Sequence, residues 1–179
     1  MAVIDSGEKA NEIAPLNKVA FRWTYIVLPA ALLIISLILT AIFYRLLPEE
    51  VAYHFQNSTP DKWLNRQAIT AWLVIPHIFC VAVAFIIVRT AMFSTRYYPL
   101  EDTPITIMIP VMGNMIALIQ IILVFATLDI FLYNVYEIKL MPLWIFALIV
   151  MALGAVALGI FFIRTIRQYR RLRGKNLQE

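Results

Sequence analysis

The chain has 179 residues, of which 62 % are apolar and only 15 % charged, and its mean hydropathy is +0.80. Soluble domains carry about 25 % charged residues, so a soluble globular enzyme is excluded as the body of this chain. The net charge of +4 collects in a basic tail and does not suggest a nucleic-acid-binding domain. Four windows hold no Asp, Glu, Lys or Arg: Trp23–Tyr44, Gln67–Val88, Thr103–Leu128 and Leu140–Ile163. Each is longer than the ~20 residues that cross a hydrocarbon core of about 30 Å. The fold expected is an all-α integral membrane bundle of four transmembrane helices.

Residues 1–22 form a tail of mixed charge whose first fifteen residues have the composition of a disordered segment. The first span covers about 23–46, with Trp23 and Tyr25 as interfacial rings and Arg45 snorkelling at its far end. Its uncharged run exceeds the about 7–15 residues of a signal-peptide core, so it is taken as a retained span. A polar connection, 47–67, follows. Within it Val51–Phe55 is expected to lie extended, Asn57–Asp61 to turn, and Asn65 to cap the next helix.

The second span, about 68–90, contains Trp72, Pro76, His77 and Cys80. A lone cysteine permits no internal disulfide and is taken as a small apolar core residue. A turn-rich connection through Pro104 leads to the third span, about 105–133, which carries Pro110, Asn114, Gln120 and Asp129. The next connection is short, so spans three and four, the latter about 142–164, are expected to form an antiparallel hairpin. Ala155 and Gly159 in span four make a weak small-xxx-small pattern, usable within the bundle or between protomers. Residues 166–179 close the chain as a basic tail, and together residues 23–165 make one membrane domain.

Lys and Arg are distributed unequally between the two sides. Lys9, Lys18, Arg22, Arg89, Arg96 and the six cations from Arg164 to Lys175 fall on one side; only Arg45, Lys62, Arg66 and Lys139 fall on the other. Positive residues stay inside, which predicts a multi-pass protein of the cell membrane with both termini cytoplasmic and the 47–67 loop outside.

Ionisable groups at membrane depth need a partner or a purpose. At about 1.5 Å per residue, His77 and Asp129 both lie about 10–14 Å below the outer face, so an Asp–His pair between spans two and three is open to them. Such a pair relays protons or simply holds helices together; a neutral core histidine and an Asp129 placed higher, among headgroups, is the plainer reading. Asn114, Gln120, Ser36 and Thr40 are expected to bond between helices. Arg164, Arg167, Arg170, Arg171, Arg173 and Lys175 form a cluster suited to anionic headgroups at the inner face. A stop-transfer anchor explains the same cluster, and docking of a cytoplasmic partner is the alternative.

Catalytic patterns are missing: there is no H-E-x-x-H, Gly-rich phosphate loop, G-x-S-x-G or C-x-x-C. With two His and one Cys, neither a metal site nor a cofactor is called for. The chain is expected to be non-enzymatic.

The 47–67 loop carries an ordered set of residues: Leu47, Pro48, Val51, His54, Phe55, Asn57, Pro60, Asp61 and Trp63. This order resembles the membrane domain of unknown function at the front of SdpI-type bacteriocin immunity proteins. Ala52 stands where that family has a proline, the turn glycine is absent, and the second half of the family's pattern is not found. The resemblance implies a protein that meets a peptide toxin at the membrane and relays its presence inward. On that basis His54, Phe55, Asn57, Asp61 and Trp63 are the expected ligand contacts, with Phe55 and Trp63 packing the loop back on the bundle. Two other readings stand beside it. One is an accessory subunit whose helices contact other chains in a membrane complex or homo-oligomer; the other is a proton-relay or transport component using His77 and Asp129.

Overall fold

A computed structural model describes residues 21–56, 59–94 and 105–175, with side chains described for 108–167 of the last stretch. The elements in chain order are a 3-10 turn at Trp23–Tyr25, helix α1 (Val27–Phe43), strands β1 (Glu50–Gln56) and β2 (Thr59–Asn65), and helices α2 (Arg66–Ser94), α3 (Ile105–Asn114), α4 (Ile116–Tyr136) and α5 (Leu143–Lys175). The disordered reading of residues 1–15, Asn57, Ser94–Pro104 beyond Ser94, and the end of the basic tail lie outside the described residues.

Three helical stretches are long and apolar enough to cross a membrane: Arg66–Ser94, Met108–Tyr136 and Leu143–Arg167. The first expected span differs. Ile26 has a non-helical backbone (φ −131°, ψ 17°) and divides the 3-10 turn from α1. The remaining 17 residues of α1 rise only about 26 Å, short of the ~30 Å core. The third expected span is also interrupted. Pro110 lacks an N–H to give, and at Met115 the helix tightens, with Leu118 N–H donating to the Met115 carbonyl at 3.1 Å.

The fold is not all-α. The polar connection folds into a two-stranded antiparallel sheet pairing Val51 with Leu64 and Ala52 with Trp63. Val51–Phe55 is extended as its β-branched and aromatic residues favour. The partner strand runs through Pro60, Asp61 and Lys62, residues that signal a turn; Pro60 is tolerated because a two-stranded sheet is all edge. Register shifts around Tyr53 and His54 bend β1. Asn65 caps α2 as expected, its side-chain oxygen accepting from the Ala68 N–H at 2.6 Å.

Helices α1, α2 and α3–α4 pack on one another, and the hairpin sits over one end of them. Val51, Phe43, Leu47, Ile69, Leu73 and Phe131 form a buried cluster beneath the hairpin, with the Phe43 and Phe131 rings stacked at 5.4 Å. A second cluster of Tyr25, Ile26, Ala84, Val88 and Ile109 closes the opposite end. Gly113 is required there, since a Cβ at that position would overlap the Tyr25 carbonyl oxygen and Val88 Cγ2. Helix α5 lies outside this group and packs chiefly on α4, through the stacked rings of Phe125 and Phe146 (centroids 3.9 Å apart) and the seat of Gly154 against Leu118.

Candidate ligand pocket at the hairpin end

Three carboxamides on α3–α4 tie the other elements down, each through backbone groups rather than side chains. Asn114 accepts from the Leu28 N–H (3.0 Å) and donates to the Thr24 carbonyl (3.0 Å), satisfying the start of α1 from 86 residues away. Gln120 donates to the carbonyls of Pro29 (3.2 Å) and His77 (3.3 Å). Asn134 accepts from the Ala52 N–H and donates to the Ala52 carbonyl, both at 2.8 Å. A proline at position 52 would lack this N–H, so alanine there is matched by a bond of this fold.

With the hairpin so fixed, Tyr53, His54 and Phe55 face α4 and the α4–α5 connection across a cavity of about 570 Å³. Asp129, Lys139 and Leu140 line its other side. Glu137 takes the left-handed conformation (φ 59°) that ends α4, and the Ile138 N–H reaches back to the Leu132 carbonyl at 3.4 Å. This turn sends the chain along α4 again, where the Asp129 carboxylate accepts from the Leu140 N–H at 3.0 Å. The Lys139 ammonium lies 4.6 Å from the centre of the Phe55 ring, and that ring also meets Tyr133 edge-on at 4.5 Å.

His54 Nδ1 and Asp61 Oδ1 are 2.6 Å apart across the two strands. That hydrogen bond, and then the charge of His54, hold the Asp61 carboxyl below its ordinary value of 3.8 against the opposing effect of burial. The pair fixes the imidazole at the rim of the cavity, with the His54 side chain 54 % exposed. An ammonium, a carboxylate, an imidazole and an aromatic ring thus border one concavity.

Of the residues singled out from sequence, His54, Phe55 and Asp61 come together here. Trp63 does not pack back on the bundle: it is 51 % exposed, and its neighbour Leu64 is the residue turned inward. The His77–Asp129 contact that the sequence left open is not formed. Asp129 serves the α4–α5 connection, whereas both ring nitrogens of the fully buried His77 lack a hydrogen-bond partner among the described residues. Ala155 and Gly159 are exposed and Gly159 touches nothing within 4 Å, so the small residue of α5 used inside the bundle is Gly154. Arg164 and Arg167 are exposed on α5; the side chains of Arg170, Arg171, Arg173 and Lys175 lie outside the described residues. No three of His, Cys, Asp and Glu converge as metal ligands among the described residues. Sequence reasoning missed Asn134 and Lys139; a carboxamide in the last turn of a span was a usable signal for the first, and nothing marked the second.

No curated protein and no solved structure matches the chain. Residues 31–76 match a family model described as a domain of unknown function, DUF1648. The matched stretch runs from α1 through the hairpin to Pro76, taking in His54 and Asp61 but neither His77 nor α4. The resemblance noted in the loop thus holds at the level of that domain, and the match singles out no immunity protein.

Proposed function

We propose that this integral membrane protein is a non-enzymatic binding protein of the SdpI-like immunity or sensor type, taking a peptide or small ligand in the pocket under the hairpin. The observation that carries the reading is the pocket itself: His54, Phe55 and Tyr53 of the hairpin meet Asp129 and Lys139 around one cavity of about 570 Å³. A peptide brings an ammonium or carboxylate end and apolar side chains, and the pocket presents a complement to each. In this reading both termini are cytoplasmic, the hairpin faces outward, and the basic end of α5 meets anionic headgroups or an inner partner.

The test is a deletion strain challenged with a panel of envelope-active peptides. Sensitisation to one of them, reproduced by His54→Ala and Lys139→Ala in protein of unchanged melting temperature, supports the reading. Resistance unaffected by the deletion across the panel would sink it.

A second reading, an accessory subunit of a larger membrane complex, is favoured by α5, whose apolar residues Trp144, Leu148, Leu153 and Val156 are all more than 60 % exposed. Co-purification in mild detergent with a fixed set of other chains supports that reading, and a lone homogeneous species counts against it.

A further inference from the structure

The middle of the bundle is polar where its two ends are apolar. Between the cluster under the hairpin and the cluster around Tyr25 and Val88 lie Ser36 and Thr40 of α1, His77 of α2 and Gln120 of α4. Ser36, His77 and Gln120 are fully buried, and Thr40 is 9 % exposed. Ser36 Oγ, Thr40 Oγ1, both ring nitrogens of His77 and Gln120 Oε1 all lack a hydrogen-bond partner among the described residues.

These groups follow one another over about two helical turns between the two apolar layers. The Leu28–Asn114 hydrogen bond near one end and the Phe43–Phe131 stack at the other set α1 beside α4 in parallel. That register places Ser36 opposite the turns between Gln120 and Thr127, and Thr40 opposite Thr127. Gln120 is held at the His77 carbonyl. Helical side chains lean toward their own N-terminus, which carries the His77 ring from that carbonyl toward the level of Ser36.

Native proteins satisfy nearly all buried polar groups, and a bilayer core supplies no bulk water to do it. A cation is a poor occupant, because the four side chains are neutral and the Asp129 carboxylate of α4 is turned to the α4–α5 connection. Water carries no charge and makes about three hydrogen bonds in such sites. The hydroxyls donate and accept, the neutral imidazole does one of each, and Gln120 Oε1 accepts, so the set satisfies water in both roles.

We propose that Ser36, Thr40, His77 and Gln120 hold a cluster of ordered water in mid-bundle, sealed by the Phe43–Phe131 layer on one side and the Tyr25–Val88 layer on the other. The site is separate from the ligand pocket, and its fate does not depend on that reading.

Water-edited solid-state NMR on ¹⁵N-labelled protein in lipid bilayers tests it, with the His77 ring assigned by its persistence in His54→Gln. The expected result is magnetisation transfer from water to the His77 ring nitrogens, while the Val88 methyls stay dry. A His77 ring as dry as Val88 would overturn the proposal. A Ser36→Ala, Thr40→Val double variant is expected to lower that transfer at least twofold at an unchanged melting temperature; transfer unchanged in a folded variant would overturn the assignment of these hydroxyls. Phe131→Ala is expected to speed exchange of the ring N–H with deuterated solvent at least tenfold, and an unchanged rate would overturn the seal.

Discussion

Asn134 gives β1 what a third strand would give it: one acceptor for the Ala52 N–H and one donor for its carbonyl. A two-stranded hairpin is marginal alone, and here the missing partner is a side chain on the last turns of α4, which also donates to the Ile130 carbonyl at 2.8 Å. Replacing Asn134 with Leu removes both bonds and leaves two backbone groups of a fully buried residue unpaired. The expected cost is about 1–3 kcal/mol, seen as a lower melting temperature in detergent and faster deuterium exchange at the Ala52 amide; unchanged protection there would refute the clamp. Asp61 gives a prediction with a definite sign. Its carboxyl is held below 3.8 chiefly by the hydrogen bond with His54. A depressed carboxyl stabilises the fold fully above its ordinary pKa and loses that contribution as pH falls through the lowered one. The Asp61 carboxyl carbon should therefore titrate below pH 3.8 by NMR, and His54→Phe should move the midpoint upward; a midpoint indifferent to His54 would show that the contact is not kept in solution.

At the scale of the element, what the sequence disclosed was whatever rests on long-range composition. Arg66–Ser94, Met108–Tyr136 and Leu143–Arg167 were legible because a bilayer demands a continuous apolar run and each has one. The divide at Ile26 was only partly legible: Pro29, three residues on, suits the first turn of a helix and has no N–H for the Tyr25 carbonyl, and packing around Tyr25 and Gly113 fixes the break. Half of the hairpin was legible in Val51–Phe55, but Pro60, Asp61 and Lys62 concealed β2, since local propensity disfavours the strand that pairing enforces. In the candidate site, His54, Phe55 and Asp61 could be found as neighbours in sequence, whereas Asp129 and Lys139 are brought to them by the turn at Glu137. Glycines sort in the same way. Gly113→Ala drives a methyl into the Tyr25 carbonyl and Val88, and overpacking of this kind costs about 1–3 kcal/mol. Gly159→Ala meets open space and is expected to be neutral or slightly stabilising as a better helix former. Melting the two variants side by side decides it, and an equal loss in both would mean that the close approach at Gly113 is not what fixes that end of the bundle.

At the scale of the whole molecule, the topology turns on whether α1 crosses. Its 17 residues rise about 26 Å, a few ångströms short of a typical core. The 3-10 turn before it and the turn at 44–46 after it extend the apolar path, with Trp23 exposed at one end and Arg45 at the other. A shortfall of this size is met by local thinning or snorkelling at a modest cost. Charge distribution supports crossing: eleven of the fifteen Lys and Arg fall on the side of the two tails if α1, α2, α3–α4 and α5 all cross, and four on the hairpin side. If α1 did not cross, Lys9, Lys18 and Arg22 would move to the hairpin side and much of the bias would vanish. In a Cys80→Ala background, Trp63→Cys is therefore expected to react with an impermeant thiol reagent added to intact cells. Arg167→Cys and a cysteine in an N-terminal tag are expected to react only after permeabilisation. An N-terminal tag labelled from outside while Arg167→Cys stays protected would place α1 as an element that enters without crossing, leaving three spans in place of four.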